Sequence, residues 1–154
     1  MPNDGGYSIL RLGTDDIDLA YEWRDTLNRV FGEEAGPAPS TEYMRGLLRD
    51  PGFFALAALH DGTVIGGIAA YEMRKYEAER SEIYLYDLAV DELHRRRGVA
   101  TRLIERVREL AAERGAWMIF VQADRGNDAA IALYERFGAR EHVLHFDIEP
   151  REAP

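Results

Sequence analysis

The sequence predicts a single α/β (α+β) domain in which a mixed central β-sheet is flanked by helices, and three observations carry that prediction. Two apolar runs, residues 53–60 (FFALAALH) and 63–72 (TVIGGIAAYE), are joined by Asp61-Gly62, a turn pair that favours antiparallel neighbours. After residues 82–90 (EIYLYDLAV) the apolar period changes from two to 3.6, then returns to a continuous apolar run at 117–123 (WMIFVQA), as a strand–helix–strand crossover requires. The chain has 154 residues, 46% of them apolar, enough for one core and too few for two ordinary ones.

The elements follow in order. Residues 7–12 (YSILRL) alternate as a first strand, and Thr14, followed by Asp15 and Asp16, offers a cap and first-turn acids for a helix over 14–31. Ile17, Ala20, Tyr21, Leu27, Val30 and Phe31 give that helix one apolar face, and Gly32 stops it. Residues 33–39 form an acidic loop, and Ser40 caps a short helix carrying Tyr43, Met44, Leu47 and Leu48. The hairpin 53–72 comes next, with Gly66 and Gly67 marking a bulge or a close backbone approach. Strand 82–90 leads into a helix over 98–114, whose stripe is Ala100, Leu103, Ile104, Val107, Leu110 and Ala111, ending at Gly115. Its apolar composition places strand 117–123 at the centre of a sheet covered on both faces. A helix over 127–137 stops at Gly138, residues 142–148 (HVLHFDI) form a last strand, and residues 150–154 are a polar tail. The order is β-α-α-β-β-β-α-β-α-β, without repeat or linker.

Charge and composition exclude several classes. The net charge of −9 argues against duplex nucleic acid or an anionic membrane as partner and favours a cationic small molecule. With no cysteine there is no disulfide, thiolate zinc site or sulfur nucleophile, and a cytoplasmic location is expected. The first ten residues have no basic n-region and no apolar h-region, and the longest mostly apolar stretch, 64–71, is eight residues, so neither secretion nor a bilayer span is expected. No metal site is expected, because His142 and His145 lie three apart on a predicted strand and point to opposite faces. G-x-S-x-G, HExxH and P-loop motifs are absent.

Ligands in such a sheet bind where a strand hands over to its crossover helix. There stand Arg95, Arg96, Arg97, Gly98, Val99, Ala100 and Thr101: a glycine that admits close backbone, N–H groups of an open helix start, and three arginines. Residues 95–114 carry net +4, so the rest of the chain carries −13 and the positive charge is local. Arg95-x-x-Gly98-x-Ala100 matches a [Q/R]-x-x-G-x-[G/A] pyrophosphate loop, and 32 residues on, Asn127-x-x-Ala130-x-x-Leu133-Tyr134-Glu135 with Phe137-Gly138 matches a second cofactor motif. On these two motifs, and on the element order over almost the whole chain, the sequence resembles the GCN5-related N-acetyltransferase (GNAT) superfamily. Within it, residues 81–90 (SEIYLYDLAV), 121–124 (VQAD) and 145–148 (HFDI) look most like the aminoglycoside 3-N-acetyltransferases of the gentamicin-modifying type.

The resemblance implies acetyl-CoA as cofactor, with its pyrophosphate on Arg95–Thr101, its pantetheine arm on the backbone of Leu88, Ala89 and Val90, and further contacts from Asn127 and Ala130. It implies transfer of the acetyl group to the 3-amino group of an aminoglycoside by direct attack in a ternary complex. An amine must lose a proton to attack, and the resemblance makes Asp87 the group that holds the cation and accepts that proton. The plainer reading of Asp87 is a strand-edge acid facing solvent. Tyr134 takes the position that protonates the departing thiolate; core packing beside Ala130, Leu133 and Phe137 is its other use. Tyr86 and the acids Glu33, Glu34, Asp124, Asp147 and Glu149 are candidates for holding a polycation, each with a solvated surface role as alternative. A GNAT enzyme for another amine (a polyamine, a peptide N-terminus or a lysine) and a non-catalytic acyl-CoA-binding module stay open beside this reading, as does a homodimer.

Overall fold

A computed structural model describes residues 5–34 and 36–153; residues 1–4, 35 and 154, on which part of the N-terminal stretch, the acidic loop and the tail fall, lie outside the described residues. The chain divides into two compact units, one ending at Gln122 and one beginning at Ala123.

In the first unit a five-stranded sheet has the order β1-β2-β3-β4-β5, formed by β1 (Tyr7–Arg11), β2 (Phe53–His60), β3 (Thr63–Arg74), β4 (Ser81–Val90) and β5 (Ala116–Val121). The first four strands are antiparallel and β4 pairs with β5 in parallel, joined through α3 (Val99–Glu113), so the sheet is mixed as expected. Local chemistry sets most of the boundaries. Asp61 and Gly62 both take positive φ, 50° and 80°, which suits the right-handed twist of the hairpin they close. Ser40 Oγ accepts from the Tyr43 N–H at 3.1 Å and starts α2 (Thr41–Arg49). Gly32, at φ 69°, ends α1 (Ile17–Phe31) and donates to the Arg29 carbonyl. This helix begins three residues later than the sequence predicted. The Asp16 carboxylate reaches back to the Gly13 N–H at 2.7 Å and closes a turn there, so Thr14 caps nothing.

Each face of the sheet is buried differently. On β2, Phe53, Ala55 and Ala57 cluster with Trp23 and Leu27 of α1 and Met44 and Leu48 of α2. Phe54 and Leu56 point the other way, to the side of α3, whose Leu103 and Val107 are fully buried. Burying side chains of this size is worth about 1.5–3 kcal/mol each. The close approach expected at the glycine pair occurs at both: a Cβ at Gly66 would stand 2.5 Å from the Ala89 carbonyl oxygen, and Gly67 is as tightly covered. Trp23 Nε1 donates to the Leu56 carbonyl at 3.0 Å directly above it, and a Cβ at Gly67 would stand 2.4 Å from that carbonyl and 2.5 Å from Nε1.

Two expectations fail. Strand β5 lies at an edge of the sheet, not its centre, and among the described residues it pairs with β4 alone; Trp117 and Met118 on it are about half exposed. Residues 142–148, read as the last strand, have no regular secondary structure. Alternating apolar residues make a strand only when a neighbouring backbone completes the ladder, and these residues find none among the described residues. The exclusion of His142 and His145 as joint ligands rested on that strand and lapses with it; among the described residues no group of three His, Cys, Asp or Glu side chains is placed to hold a metal. The second unit contains α4 (Asp128–Glu135), capped by Asn127, whose Oδ1 accepts from the Ala130 N–H at 3.3 Å. Among the described residues no helix is long and apolar enough to cross a membrane.

Because Gly67 sits under the Trp23 hydrogen bond with no room for a methyl, Gly67→Ala is expected to cost about 1–3 kcal/mol of stability. Urea denaturation measures this, and an unchanged midpoint would contradict the packing described.

Candidate active site

Strand β4 is paired along its full length with β3, from Ser81 opposite Arg74 to Val90 opposite Gly66. On its other side β5 accompanies it only as far as Leu85, opposite Val121. Beyond that point no strand of the sheet pairs with residues 86–90, so the backbone of Leu88–Val90 on that side is an open edge, although the Val90 carbonyl accepts from the Arg95 side chain. The strand also bulges there. Asp87 lies opposite Ala69 and Leu85 opposite Ala70, so Tyr86 is the extra residue.

The chain leaves β4 through a tightly braced loop. The Asp91 N–H donates to the Ile65 carbonyl at 2.7 Å, and its carboxylate accepts from the Leu93 N–H at 3.1 Å and from Arg29 of α1 at 2.8 Å. The Arg29 hydrogen bond, then that of Leu93, holds the Asp91 carboxyl below the usual carboxylate range. A 3-10 turn at Glu92–His94 follows, and His94 Nδ1 shares a 2.8 Å hydrogen bond with the Tyr7 hydroxyl of β1. Arg95 Nε donates back to the Val90 carbonyl at 3.1 Å. Arg96 and Gly98 then take the left-handed conformation, φ 60° and 77°, and α3 opens without a side-chain cap or an acid in its first turn. Its first internal bond is from the Arg102 N–H to the Gly98 carbonyl at 3.0 Å, so the N–H groups of Val99, Ala100 and Thr101 have no acceptor within the helix. Open N–H groups, the helix dipole and exposed Arg96 and Arg97 together suit a doubly charged pyrophosphate. The unpaired edge suits an amide-bearing arm, and this donor set fits a nucleotide thioester.

Asp87 lies beside that edge, half-buried. Burial, and after it the negative charge of Glu33, pushes its carboxyl above the ordinary carboxylate value, and among the described residues no cation offsets either effect. Tyr71 and Tyr84 lie near enough to Asp87 to feel its charge. Tyr86 stands edge-on to Tyr71 and to Tyr84, ring centroids 5.8 Å apart in each case. An acid that ionises reluctantly beside aromatic rings, with no counter-ion among the described residues, is chemically suited to a cationic group.

The sequence model of the Acetyltransferase (GNAT) family matches residues 19–139. The chain belongs to the GNAT acetyltransferase family. Among solved structures, an aminoglycoside acetyltransferase from an uncultured soil metagenomic sample is 48% identical, with a TM-score of 0.92 over 94% of this chain and 99% of that one. A second aminoglycoside acetyltransferase from such a sample, in complex with sisomicin, is 29% identical, with a TM-score of 0.90 over 96% of this chain and 99% of that one. Among curated proteins, an acetyltransferase of Pectobacterium atrosepticum is 32% identical over 98 residues, which is 64% of each chain. The [ribosomal protein bS18]-alanine N-acetyltransferase of Escherichia coli is 29% identical over 85 residues, 55% of this chain and 56% of that one. The matched stretches thus span about two thirds or less of these curated relatives.

Within this GNAT chain the first unit holds Asp87, Tyr86, Glu33, Glu34, the Leu88–Val90 edge and the Arg95–Thr101 loop. Its geometry brings Tyr86, Asp87 and the edge together on one strand, with Glu33 near enough to act on Asp87. Tyr134, Asn127, Ala130, Asp124, Asp147 and Glu149 belong to the second unit. There Asn127 and Ala130 are joined by the α4 cap, and Asp147 pairs with His145 at 2.9 Å. Four residues around the site had no signal in the sequence. Tyr71 reads as one more strand aromatic, and Arg29, Tyr7 and His60 reach the loop region only through tertiary contacts: Arg29 and Tyr7 bond Asp91 and His94, and the His60 ring lies 5.1 Å from that of His94.

The raised Asp87 carboxyl has a consequence for stability. The folded chain keeps this proton to a higher pH than the unfolded chain, so stability falls as pH rises from the ordinary carboxylate pKa through the raised one. Asp87→Asn, neutral at every pH, is therefore expected to raise Tm at neutral pH and to leave it nearly unchanged at pH about 3, below the ordinary carboxylate pKa. Differential scanning calorimetry at the two pH values checks this, and a lowered Tm at neutral pH would show that ionised Asp87 is instead stabilised by a partner.

Proposed function

We propose that this GNAT acetyltransferase moves the acetyl group of acetyl-CoA to a primary amine of an aminoglycoside, at the 3-amino group of its deoxystreptamine ring, by direct attack in a ternary complex. The observation that carries the reading is Asp87: a carboxylate held partly out of water, without a cation, beside an unpaired strand edge. The 48% identity to an aminoglycoside acetyltransferase supports the choice of amine.

Acetyl-CoA, when bound, supplies an acetyl group activated as a thioester. The loop Arg95–Thr101 holds its pyrophosphate through the N–H groups of the α3 start and the arginines, and the open backbone of Leu88–Val90 pairs with its amide-bearing arm. Asp87 holds the ammonium of the substrate, then takes the proton that the nitrogen must lose, directly or through one water. A raised carboxyl pKa brings base and amine closer in proton affinity, which favours that transfer. Glu33, Glu34 and Tyr86 receive the rest of the cationic substrate. By family likeness alone, Asn127 and Ala130 contact the arm of the cofactor, Tyr134 returns a proton to the leaving thiolate, and Asp124, Asp147 and Glu149 add negative charge for the substrate. Acceptor and donor are both small molecules, and the reading places the enzyme in the cytoplasm.

A second reading, acetylation of a peptide N-terminus, is favoured by the 29% identity to the ribosomal-protein alanine N-acetyltransferase. Thiol release from acetyl-CoA, measured against gentamicin, sisomicin, spermidine and an alanine-terminated peptide, separates the two. Turnover of the aminoglycosides is expected; turnover of the peptide alone overturns the reading, and no turnover of any amine with acetyl-CoA bound indicates a binding module.

Two variants test the roles. Asp87→Asn is expected to lower kcat by roughly 10²–10⁴-fold, the range of a lost general base. Acetyl-CoA affinity should stay as it is, and undiminished turnover removes the role. Gly98→Val forces a branched side chain into φ 77° at the cap of α3 and is expected to abolish acetyl-CoA binding in calorimetric titration. Intact binding would refute the loop assignment.

A further inference from the structure

On the sheet face that meets α1 and α2, one row of side chains is aromatic across four successive strands. Phe53 of β2 lies opposite Tyr71 of β3, Tyr71 opposite Tyr84 of β4, and Tyr84 opposite Phe120 of β5. The rings touch in sequence: Phe53 and Tyr71 tilted at 5.2 Å, Tyr84 and Phe120 stacked at 4.7 Å with planes 9° apart. The adjacent row is Ala55, Ala69 and Asp87, two methyl groups followed by a carboxylate. Tyr86, pushed out by the bulge, stands between the two rows and meets both Tyr71 and Tyr84 edge to face.

Cross-strand aromatics stabilise a sheet by burying one another, and Phe53, 3% exposed, does so. Tyr71 and Tyr86 do not: they are 40% and 57% exposed, Tyr86 is the chain neighbour of Asp87, and Tyr71 lies near enough to Asp87 to feel its charge. Tyr84 backs them, its hydroxyl donating to Gln122 Oε1 at 2.8 Å and its ring stacked on Phe120. The Tyr71 hydroxyl remains a neutral donor, since burial, then the neighbouring Tyr86, Tyr43 and Asp87, raise its pKa above the ordinary phenol value. Rigid apolar faces beside one acid match a saturated ring that carries ammonium groups on its rim. The C–H face of the ring lies on the aromatics, its cations are drawn to the π faces, and one amine reaches the carboxylate. A linear amine brings the charge without the face.

We propose that Tyr71 and Tyr86 are specificity-determining residues, a ledge that selects amines built on saturated rings over linear amines and presents one amino group to Asp87. This rests on the aminoglycoside reading and adds to it the feature of the acceptor that is recognised.

The test compares sisomicin, a ring-built polyamine, with spermidine, a linear one, in the full-length protein and in Tyr86→Ala, Tyr71→Leu, Tyr86→Phe and Tyr71→Phe. Loss of either ring is expected to raise the sisomicin KM and its calorimetric Kd about tenfold, the scale of a lost ring contact. The spermidine inhibition constant should stay within about twofold, and the two phenylalanine variants, which keep the rings, should keep the sisomicin-to-spermidine ratio, since the ring face is what the proposal makes selective. A purely structural role would move both ligands together or neither, and either result overturns the ledge. Should Tyr71→Leu fail to fold, as its Tm will show, the exposed Tyr86→Ala decides alone. If the unaltered enzyme neither binds nor acetylates sisomicin, the aminoglycoside reading falls and takes the ledge with it. If it acetylates sisomicin while the sisomicin-to-spermidine ratio stays put in the variants, only the ledge falls.

Discussion

The bulge at Tyr86 is the constraint on which the rest of the site depends. Side chains on a strand alternate strictly, so an unbulged β4 would put Asp87 on the same face as Ile83 and Leu85, in the core on the side of α3. One extra residue opposite β3 reverses the parity. Asp87 then comes up beside Ala69, on the face shared with Tyr71 and Tyr84, while Leu85 keeps its place opposite Ala70. The same irregularity lies just past the point at which β5 stops pairing, so a single local distortion places the acid, lifts an aromatic ring and adjoins the open backbone.

Electrostatically the chain separates two demands. It is acidic overall, a field that favours cations, yet it gathers +4 over residues 95–114, a local field that favours anions. The two fields are kept apart along β4 and joined mechanically at its end. Asp91 takes Arg29 from α1 and caps the turn that leads to the arginine loop, and Tyr7 of β1 bonds the next turn at His94. Those contacts brace the backbone that presents the N–H groups, so less freedom has to be lost when a ligand arrives. Asp87 shows the opposite economy: a carboxyl left half-buried, with no cation among the described residues to offset that burial.

Much of the fold was legible because it is written in local chemistry. Asp61-Gly62, Gly32 and Ser40 each do what their backbone preferences dictate, and the 3.6 period over α3 needs no tertiary knowledge. The misreadings share one cause. Asp16 bonds backwards rather than forwards, β5 is placed at an edge, and residues 142–148 stay unpaired, all because of which partner a segment finds. Of the site, the arginine loop and the β4 acid could be named from motif and residue type. The bulge could not, since YLYD alternates as well with it as without it, and the bonds from Arg29 and Tyr7 span 62 and 87 residues. Tyr71 escaped because an aromatic at a strand end is ordinary until its neighbours across three strands are known.

The open edge of β4 also bears on how copies of this protein meet. Unsatisfied strand amides are a template for any other strand, including the same segment of another molecule, and such pairing is a common beginning of aggregation. Here the vulnerable stretch is short, ends against a bulge on one side and runs into three arginines on the other. Two such edges brought together in parallel would set like charge against like, which opposes that pairing.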